Sequence, residues 1–195
     1  MKKYSLFSFF IAIILLSGCS EDFQLQKSVF IEDVNYPGLP EYSEWGYNTF
    51  GAYIDRKVFA STESDLPGKI IVNKDTFHLI LKGRSDYNTL ILKFSVVGYS
   101  PADYPDLITL NDSTINLTGK ACIVTLTDGY SPKKLTVTEG KLYFKRVQKL
   151  YVDRELTESI VSGTFNFKAL NAGEPIAVSN GRFDLGVGYD NFFKY

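Results

Sequence analysis

Residues 48–195 are expected to form one all-β domain, a single antiparallel β-sandwich or up-and-down β-barrel, after an N-terminal lipoprotein signal peptide and a tether. Three observations predict it. The chain of 195 residues carries 15 Phe, 13 Tyr and one Trp, residue types that favour strands. From Asn48 onward it breaks into short apolar runs, several with a period of two. Turn residues stand between those runs, and no segment carries a convincing helical stripe.

The alternation is plainest at Leu90, Leu92, Phe94 and Val96, which share a face opposite Lys93 and Ser95. Val161, Gly163, Phe165, Phe167 and Ala169 likewise oppose Ser162, Thr164, Asn166 and Lys168. Phe77, Leu79 and Leu81 alternate with Thr76, His78 and Ile80, and shorter runs include 107–110, 121–127, 134–138 and 141–147. Asp128-Gly129 and Glu139-Gly140 punctuate neighbouring strands. Asn180-Gly181 is the strongest short-range hairpin signal, and Asn171-Ala172-Gly173-Glu174 suits a slightly longer loop. Only Val147 to Ser159 is ambiguous. Short links require antiparallel pairing, because parallel strands need long crossovers. About ten strands are expected.

Before the domain, residues 1–18 read as a signal peptide. Lys2 and Lys3 form a positive start, and Leu6 to Leu16 is an apolar run of signal-peptide length, too short to span a bilayer. Leu16-Ser17-Gly18-Cys19 resembles the lipobox of bacterial lipoproteins. That resemblance implies cleavage before Cys19 and acylation of its thiol and amino terminus, which exceeds the two-signal need for stable anchoring. Ser20, Glu21 and Asp22 resemble the surface-export signal of Bacteroidota lipoproteins, implying an outer-membrane and surface location. Residues 19–47, with Pro37, Gly38 and Pro40 and no sustained periodicity, are expected to be a tether.

Two blocks carry a wider resemblance. Asn48-Thr49-Phe50-Gly51-Ala52-Tyr53-Ile54-Asp55 precedes Lys57-Val58-Phe59, and Ser162-Gly163-Thr164-Phe165-Asn166-Phe167 precedes Asn180-Gly181-Arg182-Phe183-Asp184. They are similar to the opening and closing hairpins of a domain-of-unknown-function family of exported Bacteroidota proteins. Arg56 stands where that pattern has Gly, so the first turn is expected to differ. The resemblance implies the fold and the compartment and carries no activity.

Composition narrows the function classes. Without Lys2 and Lys3, 19 of the 21 basic residues remain against 22 acidic, a formal −3. Such a chain lacks the basic field of a nucleic-acid binder and any electrostatic reason to dock on an anionic bilayer, so membrane contact is expected through the lipid anchor. With Cys19 lipidated, Cys122 is the one remaining thiol and no internal disulfide is expected. It sits in the apolar run Ala121–Leu126 and reads as a buried, inert thiol. One His and one thiol build no His/Cys metal site, and no nucleophile elbow or phosphate loop occurs. No catalytic residue, metal ligand or cofactor is therefore assigned, and His78 reads as a cross-strand or surface residue. Asp184 and Asp190, near the Gly-rich end, read as hairpin and loop residues.

What remains is aromatic. Tyr36, Tyr42, Trp45 and Tyr47 lie in the tether and domain entry, and Tyr99 and Tyr104 in the Pro-rich loop Gly98–Asp106. Aromatics on loops of a rigid scaffold make stacking platforms for sugars or peptides, and equally they seal the ends of a barrel. The expected function is a surface binding module for a glycan or protein partner, with Tyr99 and Tyr104 as candidate ligand-binding residues. The alternative is a carboxylate-dependent envelope hydrolase acting on carbohydrate, which needs two facing acids across a groove.

Overall fold

The computed structural model describes residues 28–62, 66–129 and 131–195. The signal peptide 1–18, the lipidation site Cys19 and the export signal Ser20, Glu21 and Asp22 lie outside the described residues.

The domain is all-β. Among the described residues eleven strands follow in chain order: β1 Thr49–Ile54, β2 Lys57–Ala60, β3 Gly68–Asn73, β4 Thr76–Ser85, β5 Asn88–Val97, β6 Ser113–Asn116, β7 Cys122–Asp128, β8 Ser131–Val152, β9 Glu155–Asn171, β10 Glu174–Val187 and β11 Phe192–Lys194. They form one sheet rolled on itself. The pairings run β4–β5–β7–β8–β9–β10–β1–β2 and return to β4, where, among the described residues, closure rests on the bridge Ala60↔Arg84. The roll is not a clean barrel. Along Thr76–Leu81 the same edge of β4 is taken by β3, which carries β11 on its far side. β11 pairs β3 in parallel, correcting the expectation of a wholly antiparallel sheet. The pair is not consecutive in the chain, so it escapes the short-link argument.

Alternation decides which side chains face inward. Leu90, Leu92, Phe94 and Val96 of β5 and Val161, Phe165, Phe167 and Ala169 of β9 are all buried in one continuous core. The core is largely phenylalanine packed edge to face. Phe94 meets Phe165 at 5.3 Å between ring centroids, and Phe144 meets Phe183 at 5.8 Å. Such contacts add about 0.5–1.5 kcal/mol each beyond area burial.

The turns divide into hairpins and bulges that the sequence does not separate. Asp55 and Arg56 (φ 46° and 71°) join β1 to β2 in a two-residue turn without glycine. Both left-handed positions there match the favoured hairpin turn, so Arg56 accepts the conformation a Gly would take more cheaply. Ala172-Gly173 joins β9 to β10, a tighter link than expected. Asn180-Gly181 makes no hairpin. It is a bulge inside β10, opposite Phe165 and Phe167 of β9. Glu139-Gly140 lies inside the long β8, just past a bulge between Val137 and Glu139, and is not a break between strands. The run at 107–110, read as strand, belongs to a 3₁₀ helix, Tyr104–Leu110. Asp103 caps it, with Asp106 accepting back from the Asp103 N–H and Pro105 in its first turn, so local capping overrides a four-residue apolar run.

Residues 28–47 do not hang free as a tether. The chain folds back between Glu32 and Pro40 and lies against β1, β2 and β10. Leu39 is fully buried, Asp33 forms a 2.5 Å ion pair with Arg182, and the Arg182 guanidinium lies 4.5 Å from the Tyr36 ring.

Candidate functional site

Of the two tyrosines expected to bind a ligand, Tyr104 is buried and Tyr99 half-buried. Tyr104 is 2% exposed, a correction to the exposed-loop reading. As the first residue of the 3₁₀ helix it packs with Leu107 and Leu110 into the core, and its hydroxyl donates to the Leu156 carbonyl. Tyr99 is half-buried, its ring edge-on to Phe77 at 5.4 Å and its hydroxyl 2.9 Å from Thr109 Oγ1. The Pro-rich loop caps the core instead of presenting a platform.

Among the exposed aromatics, which include Tyr87, Tyr189 and Tyr195, Trp45 stands on the turn that leads into β1. Trp45 is 71% exposed. Its backbone is held from below by Asp184, a β10 side chain that is 1% exposed. The Asp184 carboxylate accepts from the N–H groups of Trp45 (3.1 Å), Gly46 (2.9 Å) and Tyr47 (3.1 Å), from the Ser162 hydroxyl (2.7 Å) and from the Ser43 hydroxyl. A buried carboxylate is tolerated only when so partnered, and here the partners are the turn itself. Trp45 is therefore displayed on a rigid mount.

Polar groups of β8 flank that turn. A bulge between Tyr143 and Arg146 turns Phe144 into the core and leaves Lys145 and Arg146 both outside. Lys145 Nζ lies 3.4 Å from Glu44 and 4.6 Å from the centre of the Tyr42 ring. Gln148 donates to the Glu44 carbonyl at 3.0 Å. Burial, then the hydrogen bond and charge of Glu44, holds the Tyr42 phenol well above its ordinary range, so it stays a donor. Tyr143 donates to Asp112 at 2.6 Å, which raises its phenol as well. Composition flagged Trp45 and Tyr42 as aromatics, but nothing local marks Asp184, Lys145 or Gln148 as their neighbours.

Further along the outer face of β8 lies a groove of about 680 Å³. Thr114 and Asn116 of β6, Lys141 of β8, Asn166 and Lys168 of β9 and Ser179 of β10 line it. Two bulges shape it, one between Val137 and Glu139 in β8 and one between Val178 and Gly181 in β10. A Cβ on Gly140 would stand 2.3 Å from Phe167 Cβ, and one on Gly181 would stand 2.4 Å from the Phe165 carbonyl oxygen. Both flanking strands therefore kink where they cross the same stretch of β9, bending the sheet.

Glu158 is raised above the ordinary carboxyl range, first by burial and then by the charge of Asp190. Asp190 follows β10 in a bend, as expected, whereas Asp184 is a buried strand residue. Burial pushes the Cys122 thiol up to about 11, which makes it unreactive at neutral pH. His78 faces Ser95 across β4 and β5, its Nδ1 2.9 Å from the hydroxyl. Among the described residues, no three His, Cys, Asp or Glu side chains gather as a metal site. No protein-family model matches the chain, and neither a curated protein nor a solved structure matches it.

Proposed function

We propose that this chain is a glycan-binding module of the outer membrane, anchored through a lipid on Cys19. One observation carries the reading: an exposed Trp45 on a turn immobilised by buried Asp184, with Lys145 and Gln148 bound to Glu44, the residue before it. A sugar ring offers a C–H face to an aromatic plane and hydroxyls around its rim. An indole on an ordered backbone, with an ammonium and an amide gathered at the preceding residue, complements both. Because the turn is already ordered, little conformational entropy is lost on binding. For the hydrolase alternative, the charge of Asp190 reaches Glu158, whose carboxylate lies against Gly186, which in turn packs against Gly46 of the same turn.

The test is a glycan array probed with the full-length protein purified in detergent. Trp45→Ala is expected to weaken glycan binding by about tenfold, in the manner of an interface hot spot. Its stability should change by no more than about 0.5 kcal/mol, since the side chain projects into solvent. Unchanged binding by the variant would refute the platform.

A further inference from the structure

The bulge-bent groove along β8 lies apart from the Trp45 mount, and its charges are unequal. Lys168 is neutralised by Glu139 at 2.7 Å. Lys141, exposed on the same wall, has no ion pair among the described residues. Around it stand hydroxyls of Thr114 and Ser179 and amides of Asn116 and Asn166, with Ala177 and the threonine methyls between them. The lining is therefore mostly apolar surface edged by these polar ends, and it carries one uncompensated positive charge. The volume suits a compact organic ligand. A lone ammonium is a point charge, which attracts an anionic group without demanding planar, two-pronged geometry.

We infer that this groove is an anionic-saccharide subsite, with Lys141 receiving the carboxylate or sulfate of a sugar and the amides and hydroxyls bonding its ring oxygens. The inference rests on the glycan-binding reading and adds the charge class of the ligand.

The experiment measures binding of three oligosaccharide sets of matched length to the full-length protein: uronate-containing, sulfated and neutral. Wild type should prefer an anionic set, and the preference should fade as salt rises and screens the exposed charge. Lys141→Gln should lower affinity for the preferred anionic set by about threefold, the scale of an exposed ion pair, and leave the neutral set unchanged. Glu139→Gln should raise anionic affinity by a similar factor, because it frees Lys168 and removes a repelling charge. A damaged fold cannot produce that opposite sign. Comparing the uronate and sulfated arms assigns the anionic group. Equal binding of all three sets, or no response to either substitution, would overturn the subsite and leave the Trp45 reading standing. Failure to bind any set, with Trp45→Ala also silent on the array, would overturn both.

Discussion

At the scale of single residues, Asp184 does the most. Five donors converge on its carboxylate, four of them from or beside the turn that displays Trp45 and one from the neighbouring strand. Removing the acceptor strands several buried donors at once. Asp184→Ala is expected to destabilise the fold by about 3 kcal/mol, read by urea denaturation, and to speed proteolysis of residues 28–47. It should also weaken glycan binding although Asp184 is too buried to touch a ligand. Glu158 acts in the opposite sense. Its folded-state pKa lies above the ordinary carboxyl value of 4.5, so the folded state holds its proton more tightly than the unfolded chain. The associated stability is complete below about pH 4.5 and is lost as pH rises through the raised value. Glu158→Gln should therefore raise the thermal midpoint at pH 7 and leave it nearly unchanged at pH 4. An equal shift at both values would show that charge is not the cause.

At the scale of elements, the 3₁₀ helix decides the fate of the loop tyrosines. The loop tyrosines could be read as platform or as core cap, and Tyr104 became a cap because Asp103, Pro105 and Asp106 close a helical turn that drives its ring inward. Tyr104→Ala is thus expected to cost about 3 kcal/mol or more by the loss of a buried aromatic, seen as an earlier denaturation midpoint. Tyr99→Ala, at a half-buried position, should cost less. Alternation identified β5 and β9 correctly, since a period of two over many residues has no other reading. Dipeptides were less informative. Asn180-Gly181 and Ala172-Gly173 both offer left-handed backbone, and one became a bulge while the other became a turn. The choice depends on how far the flanking strands continue to pair, which a dipeptide does not encode.

At the scale of the whole molecule, the sheet rolls until β2 meets β4, and the N-terminal segment then straps the outside through Asp33, Arg182 and Leu39. The Asp33 carboxyl is held below its ordinary value by the Asn35 N–H and by Arg182, so the strap's ion pair persists well into mild acid. An anchor on Cys19 would place the lipid only nine residues before the first described residue, Ser28, at most roughly 30 Å of extended chain. Mass spectrometry of the membrane fraction should show an acylated peptide beginning at Cys19. A mature terminus elsewhere would remove the anchor from the proposed function.

The sequence by itself determined the class of fold, most of its strands and the inert burial of Cys122. Each follows from local chemistry: side-chain period, strand preference and the polarity of short windows. Only the tertiary structure decided that the sheet closes, that β11 joins β3 in parallel and that residues 28–47 are docked. It alone brought Asp184 beneath Trp45 across 139 positions of chain, and gathered Lys141, Asn166 and Ser179 into one groove. Those contacts are set by how the sheet bends at its bulges and by which buried donors find an acceptor, and neither is legible in any single stretch of residues.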